Sequence, residues 1–129
     1  MDLCERIIQA AIEVHSILGP GLLECVYELA LCHELGLVGI GHQRQIPIPV
    51  VYKGVPVRQP FYLDILVENR IVVEVKSMEK DNPYYQAQLF THMKFLNVPK
   101  GLLINFGKES LQDGICRLNN ESAAVPGFA

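Results

Sequence analysis

The sequence predicts an α/β or α+β fold in which a mixed sheet is flanked by helices. Three observations carry this reading. Two segments near the N-terminus repeat their apolar residues at helical spacing. Three β-rich segments follow between residues 43 and 76. A further helical segment then leads to a short apolar run, Gly101 to Phe106. The order is ααβββαβ with a small last element.

Each element has a local reason. Asp2 and Glu5 make a D-x-x-E start that resembles a capping box. Leu3, Ile7, Ala10, Ala11, Val14 and Leu18 then recur at helical spacing until Gly19-Pro20-Gly21 stops the helix. A second helix is expected from about Leu22 to Leu35, with Leu22, Val26, Leu29, Ala30 and His33 on or near one stripe and Gly36 and Gly39 at its end. Gln43 to Tyr52 is β-rich, but Pro47 and Pro49 cannot donate to a ladder, which points to an edge or bulged strand. Lys53-Gly54 turns the chain into a second strand, Val55 to Val67, broken near Pro60. Glu68-Asn69-Arg70 is a short polar turn, and Ile71 to Lys76 is the strongest strand signal in the chain. Asp81-Asn82-Pro83 opens a helix that reaches about Asn97, with Pro83 at its first position. Gly101 to Phe106 reads as a short buried strand, Gln112 to Leu118 as a last strand or turn, and Asn119 to Ala129 as a frayed tail.

Composition narrows the function classes. The chain has 129 residues, the size of one domain, and half of them are apolar. That length buries a core without disulfides or structural metal. Cys4, Cys25, Cys32 and Cys116 contain no C-x-x-C pair and read as reduced thiols, Cys25 and Cys32 at a spacing suited to one helix face. No apolar run approaches the roughly 18 residues of a membrane span. Asp2, Glu5 and Glu13 are wrong for a signal peptide, so a cytoplasmic protein is expected. Eleven Lys and Arg against fourteen Asp and Glu give a net charge of −3, which argues against binding nucleic acid by spread positive charge. No Arg/Lys cluster reads as a strong duplex groove, although Lys94, Lys100 and Lys108 could line a shallow one.

The chemistry-bearing residues lie on the central hairpin. Strand alternation puts Val72, Glu74 and Lys76 on one face, and Tyr62, Asp64 and Leu66 share a face of the preceding strand. If the loop is the three residues Glu68-Asn69-Arg70, Val67 opposes Ile71, Asp64 opposes Glu74 and Tyr62 opposes Lys76. A two-residue loop would send Glu74 to the opposite face. Opposed carboxylates repel unless both are solvated or a hard cation lies between them, and Mg²⁺ is typically held by one or two carboxylates plus waters and phosphate oxygens. Lys76 beside them could stabilise a phosphoryl transition state. Glu24, in the first turn of the second helix, also suits the helix dipole. On the later helix Tyr85, Gln88 and His92 share one face, opposite Leu89, Phe90, Met93 and Leu96.

Gly21-Leu22-Leu23-Glu24-Cys25-Val26-Tyr27 reads G-x-x-E-x-x-Y. Together with the sheet residues and Gln88-Leu89, it resembles the GxxExxY protein family of the PD-(D/E)XK nuclease superfamily. The resemblance runs from about Ile7 to Asn119. It implies a restriction-endonuclease-like α/β core. It also implies that Asp64, Glu74, the Val75 carbonyl and Glu24 bind metal, and that Lys76 and Gln88 join Glu24, Asp64 and Glu74 in catalysis. Tyr85 and His92 would contact substrate, and Tyr27 would pack or assist catalysis. Two features depart from the family pattern. Leu63 replaces the proline before the motif aspartate, and Tyr85 and His92 stand where His and Tyr are expected. The implied activity is Mg²⁺-dependent hydrolysis of phosphodiester bonds in DNA or RNA, with Mn²⁺ able to substitute. The rival is a non-catalytic nucleic-acid-binding or assembly module that keeps the fold, completed by a second copy or another protein. A purely structural domain would leave Glu24, Asp64, Glu74 and Lys76 scattered.

Overall fold

A computed structural model describes residues 1–57 and 61–120. Helix α1 spans Leu3–Leu18, opened by the Asp2 carboxylate, which accepts the Glu5 N–H at 2.8 Å. It closes at Gly19, whose φ of 70° is a conformation that glycine adopts without steric cost. Helix α2 is Glu24–Leu37, starting two residues later than expected. Its buried face is Tyr27, Glu28, Leu31, Cys32 and Leu35; of the expected stripe of Leu22, Val26, Leu29, Ala30 and His33, Ala30 alone packs partly buried against the core. Leu22, Val26 and Leu29 are exposed, as is Cys25. The helix carries apolar residues nearly all round, so hydropathy alone does not select the inward side.

The tyrosine ring selects it. Tyr27 is fully buried and stacks on Phe106, with ring centroids 4.6 Å apart and an interplanar angle of 8°. Its hydroxyl donates to the Gly19 carbonyl and accepts the Leu22 N–H at 3.1 Å, tying both sides of the Gly-Pro-Gly turn to α2. Tyr27→Phe is expected to cost about 1–2 kcal/mol by leaving those partners unpaired, measurable by urea unfolding. An unchanged midpoint would deny the hydroxyl this role.

The main sheet has strands β1 (His42–Ile48), β4 (Phe61–Val67), β5 (Ile71–Lys76), β6 (Lys100–Asn105) and β7 (Ile115–Asn119), in the order β1-β4-β5-β6-β7. Only β5 and β6 run parallel, so the sheet is mixed. The expected edge strand is real but shorter: β1 stops before Pro49. Val51–Tyr52 (β2) and Val55–Pro56 (β3) form a separate hairpin around Lys53 and Gly54, at φ 49° and 81°. The break expected near Pro60 lies outside the described residues, as does the expected tail beyond Asn120. The 3₁₀ turn Leu111–Gly114 precedes β7.

Two layers cover the sheet. On one face α1 and α2 pack on Ile65, Val67, Ile71, Val73, Val75, Leu102 and Ile104. On the other, helix α3 (Pro83–Leu96) packs Leu89 and Met93 against Leu63, Leu66, Val72 and Leu103. Asn82 caps α3 by accepting the Tyr84 N–H at 3.0 Å, Pro83 occupies the first turn, and Asn97 ends the helix at φ 55°. Phe90 is exposed, contrary to its expected place on the inner face, and His92 is buried there instead. Among the described residues no helix is long and apolar enough to cross a membrane.

Candidate active site

The β4–β5 turn decides where the carboxylates point. Glu68 and Asn69 both adopt left-handed backbone, φ 53° and 54°, and Arg70 N–H closes on the Val67 carbonyl at 2.9 Å. The loop therefore has three residues, and the pairs Val67↔Ile71, Leu66↔Val72 and Ile65↔Val73 have the register that the sequence predicts. The ladder ends there, one position before Asp64 and Glu74. Beyond it the Val75 N–H donates to Asp64 Oδ2 at 2.8 Å.

On the other side, β1 and β4 also lose their pairing at Asp64. The register carries Arg44↔Ile65 and resumes at Ile46↔Leu63, and Gln45 between them has φ 53°. A glutamine in that conformation costs about 1 kcal/mol or more. The turn of backbone accompanies a side-chain contact: Gln45 Nε2 donates to both carboxylate oxygens of Glu28, at 2.9 and 3.0 Å. Asp64 thus lies where the sheet opens between three strands.

An open cavity of about 400 Å³ lies over this opening, lined by Asp64, Glu74, Lys76, Gln88 and His92 together with Phe61, Tyr62, Tyr84, Ala87 and Thr91. Glu74 is 6% exposed, and its Oε1 accepts a 2.7 Å hydrogen bond from His92 Nδ1. Burial pushes the Glu74 carboxyl up to about 7. The His92 hydrogen bond opposes the rise, and the neighbouring Asp64 charge reinforces it. Lys76 holds its ammonium 4.2 Å from the centre of the Tyr85 ring.

The sequence-predicted residues divide accordingly. Asp64, Glu74, Lys76, Gln88 and His92 share the cavity. Val75 is not in the lining, but its N–H bonds Asp64 at 2.8 Å. Tyr85 reaches the site through Lys76. Glu24 is exposed at the start of α2 and is not in the cavity lining. One turn further on, the sequence reading misses Glu28. It is buried, carries a 2.6 Å ion pair from Arg44 Nε, and lies within hydrogen-bonding reach of Asp64. Burial raises its carboxyl, the Gln45 bond lowers it, the Asp64 charge raises it and Arg44 lowers it. Lys94, Lys100 and Lys108 do not line the cavity, and Lys108 is held by Asp81 at 3.4 Å.

A sequence profile of the PD-(D/E)XK nuclease superfamily matches residues 1–118. The chain belongs to that superfamily. The mixed five-stranded sheet between helical layers is its restriction-endonuclease-like fold. No curated protein and no solved structure gives a significant match to the chain. PD-(D/E)XK nucleases generally use divalent metal ions, and the donor set here fits one. Among the described residues no group of three or more His, Cys, Asp or Glu side chains is placed to hold a metal ion. Two carboxylates lining an open cavity are nevertheless what a hard cation with several waters needs. Burial first, and the Asp64 charge after it, raise Glu74, and a cation would offset both.

Proposed function

We propose that this protein is a Mg²⁺-dependent nuclease of the GxxExxY type that hydrolyses phosphodiester bonds. The observation that carries the reading is the pairing of a buried Glu74 with a half-buried Asp64 in one cavity with Lys76. Two carboxylates that open onto one cavity do not serve packing, and a bound cation would offset the cost of placing them there.

Asp64 and Glu74 would hold the metal, with the Val75 carbonyl a further oxygen. When bound, the ion supplies Lewis acidity toward a phosphate and an acidified water. Asp64 is oriented by the Val75 N–H, which leaves its second oxygen for the ion. His92 fixes the Glu74 carboxylate in the same way. Lys76 is the cation available to the developing negative charge, and Tyr85 steadies its ammonium. Gln88 lies on the same wall and can donate to a phosphate oxygen. Glu28 supports the arrangement beside Asp64, whereas Glu24 lies outside the cavity lining. DNA or RNA is the substrate.

Purified wild type should cleave single- or double-stranded DNA or RNA with Mg²⁺ or Mn²⁺, and Glu74→Ala should lower the rate about 100-fold or more. Equal cleavage by both proteins, or none by wild type, overturns the reading. Metal binding without turnover would favour a non-catalytic nucleic-acid-binding or assembly module.

A further inference from the structure

Two rings in the cavity wall have no part in the chemistry above. Tyr62 on β4 is 53% exposed and Tyr84 at the start of α3 is 64% exposed, yet both line the cavity that holds Asp64, Glu74 and Lys76. Each presents apolar ring surface to solvent at the mouth of a polar site. Neither ring is needed to fill the core, which closes behind them with Leu63, Leu66, Leu89 and Met93. Tyr84 is also braced edge-on by Tyr85, with centroids 5.9 Å apart, and Tyr85 in turn lies against the Lys76 ammonium. An exposed aromatic face therefore continues directly into the cation.

The charge around the cavity argues in the same direction. A duplex is gripped chiefly by Lys and Arg spread along its phosphates. Among the described residues Lys76 is the only Lys or Arg in the cavity lining. Two of the other basic side chains are tied to acids, Arg44 to Glu28 and Lys108 to Asp81, and Lys108 also bonds the Glu79 carbonyl. The whole chain carries −3. Stacking is the contribution that such a surface offers, and it is open only to bases whose faces are not already covered by a paired helix.

We infer that the site takes single-stranded nucleic acid, with unpaired bases stacking on Tyr62 and Tyr84 while the backbone phosphate faces Asp64, Glu74 and Lys76. The inference rests on the phosphodiester reading of the cavity and adds the strandedness of its substrate. Tyr62 and Tyr84 are binding residues in this account, because they touch bases and leave the reacting phosphate to the other side chains.

The test is fluorescence anisotropy with the full chain and short labelled probes: single-stranded DNA, single-stranded RNA and the DNA duplex of the same sequence. Ca²⁺ replaces Mg²⁺, and probe integrity is checked on a gel. At least one single strand should bind about tenfold or more tightly than the duplex, and the two single-strand arms separate DNA from RNA. Tyr62→Ala and Tyr84→Ala should each weaken that binding about fivefold or more, the loss expected from one stacked base. Tyr62→Phe and Tyr84→Phe keep the ring and should bind as wild type does, which also reports on folding. Tyr52→Ala removes an exposed tyrosine outside the cavity lining and should change nothing. Preference for the duplex, no binding of any probe, or wild-type affinity in both alanine variants overturns the inference. Failure of the nuclease reading looks different: tyrosine-dependent binding of single strands would persist with no cleavage in Mg²⁺ or Mn²⁺.

Discussion

Stripped of divalent metal, the protein is expected to lose about 3 kcal/mol of stability between about pH 4.5 and pH 7 through Glu74 alone. Burial and the Asp64 charge raise this carboxyl from its ordinary value of 4.5 to about 7 in the fold, against the opposing His92 bond. An acid raised in this way holds its proton more tightly when folded than when unfolded. Its stabilising contribution is fully present below pH 4.5, declines as the unfolded chain ionises, and is gone once the pH has risen through 7. Glu28 is raised too, first by burial, and acts in the same direction. Glu74→Gln removes the titration and keeps an oxygen acceptor for His92. The difference in unfolding free energy between wild type and this variant should therefore become less favourable to wild type as pH increases. A difference that is flat with pH would contradict the burial and repulsion described for Glu74. On the metal-binding role proposed for Glu74, metal should reverse the trend, because a cation binds the ionised carboxylate. Mg²⁺ or Mn²⁺ should raise the wild-type melting temperature more at about pH 8 than at about pH 5, and Glu74→Gln should remove most of that rise.

Asp64, Glu74 and Lys76 could be read from the sequence because two short-range rules act on them. Alternation assigns their faces, and the loop Glu68-Asn69-Arg70 sets the register. The ends of α1 and α3 were legible for a similar reason, since Asp2 and Asn82 bond to backbone two or three residues away. Glu28 was hidden because its partners are distant in sequence and α2 is apolar on several sides. The spacing Tyr27-Leu31-Leu35 was the available signal, as it carries Glu28 toward the sheet with it. The left-handed Gln45 that meets Glu28 depends on β1 pairing with β4 across a connection that no local pattern describes. His92 was recognised as a polar member of the α3 face. Its bond to Glu74 requires α3 to be docked on β5, a tertiary fact that helical periodicity does not contain.

Gly107→Ala is expected to cost about 3 kcal/mol and lower the melting temperature by about 10 °C, through a contact remote from both carboxylates. A Cβ at Gly107 would lie 2.3 Å from the Met78 carbonyl oxygen, 2.6 Å from its nitrogen and 2.7 Å from its carbonyl carbon. Backbone surrounds it on that side, so no flexible side chain can swing away. The segment itself is held fast. Asn105, 2% exposed, accepts the N–H groups of Met78 and Gly107 at 2.9 Å each and donates to the Met78 carbonyl at 3.1 Å. Phe106 N–H bonds the Lys76 carbonyl at 2.8 Å, and the Ser77 hydroxyl donates to the Leu22 carbonyl at 2.5 Å. Displacing Met78 therefore pulls on the end of β5 that presents Lys76 and on the turn that starts α2. Gly39→Ala separates this mechanism from a general intolerance of glycine replacement. Gly39 has φ 76° and open space around it, so its variant meets only the left-handed backbone penalty of about 1 kcal/mol. Equal losses in the two variants, or a Gly107→Ala protein within about 1 kcal/mol of wild type, would mean that the Met78 strap moves aside without straining the Lys76 strand.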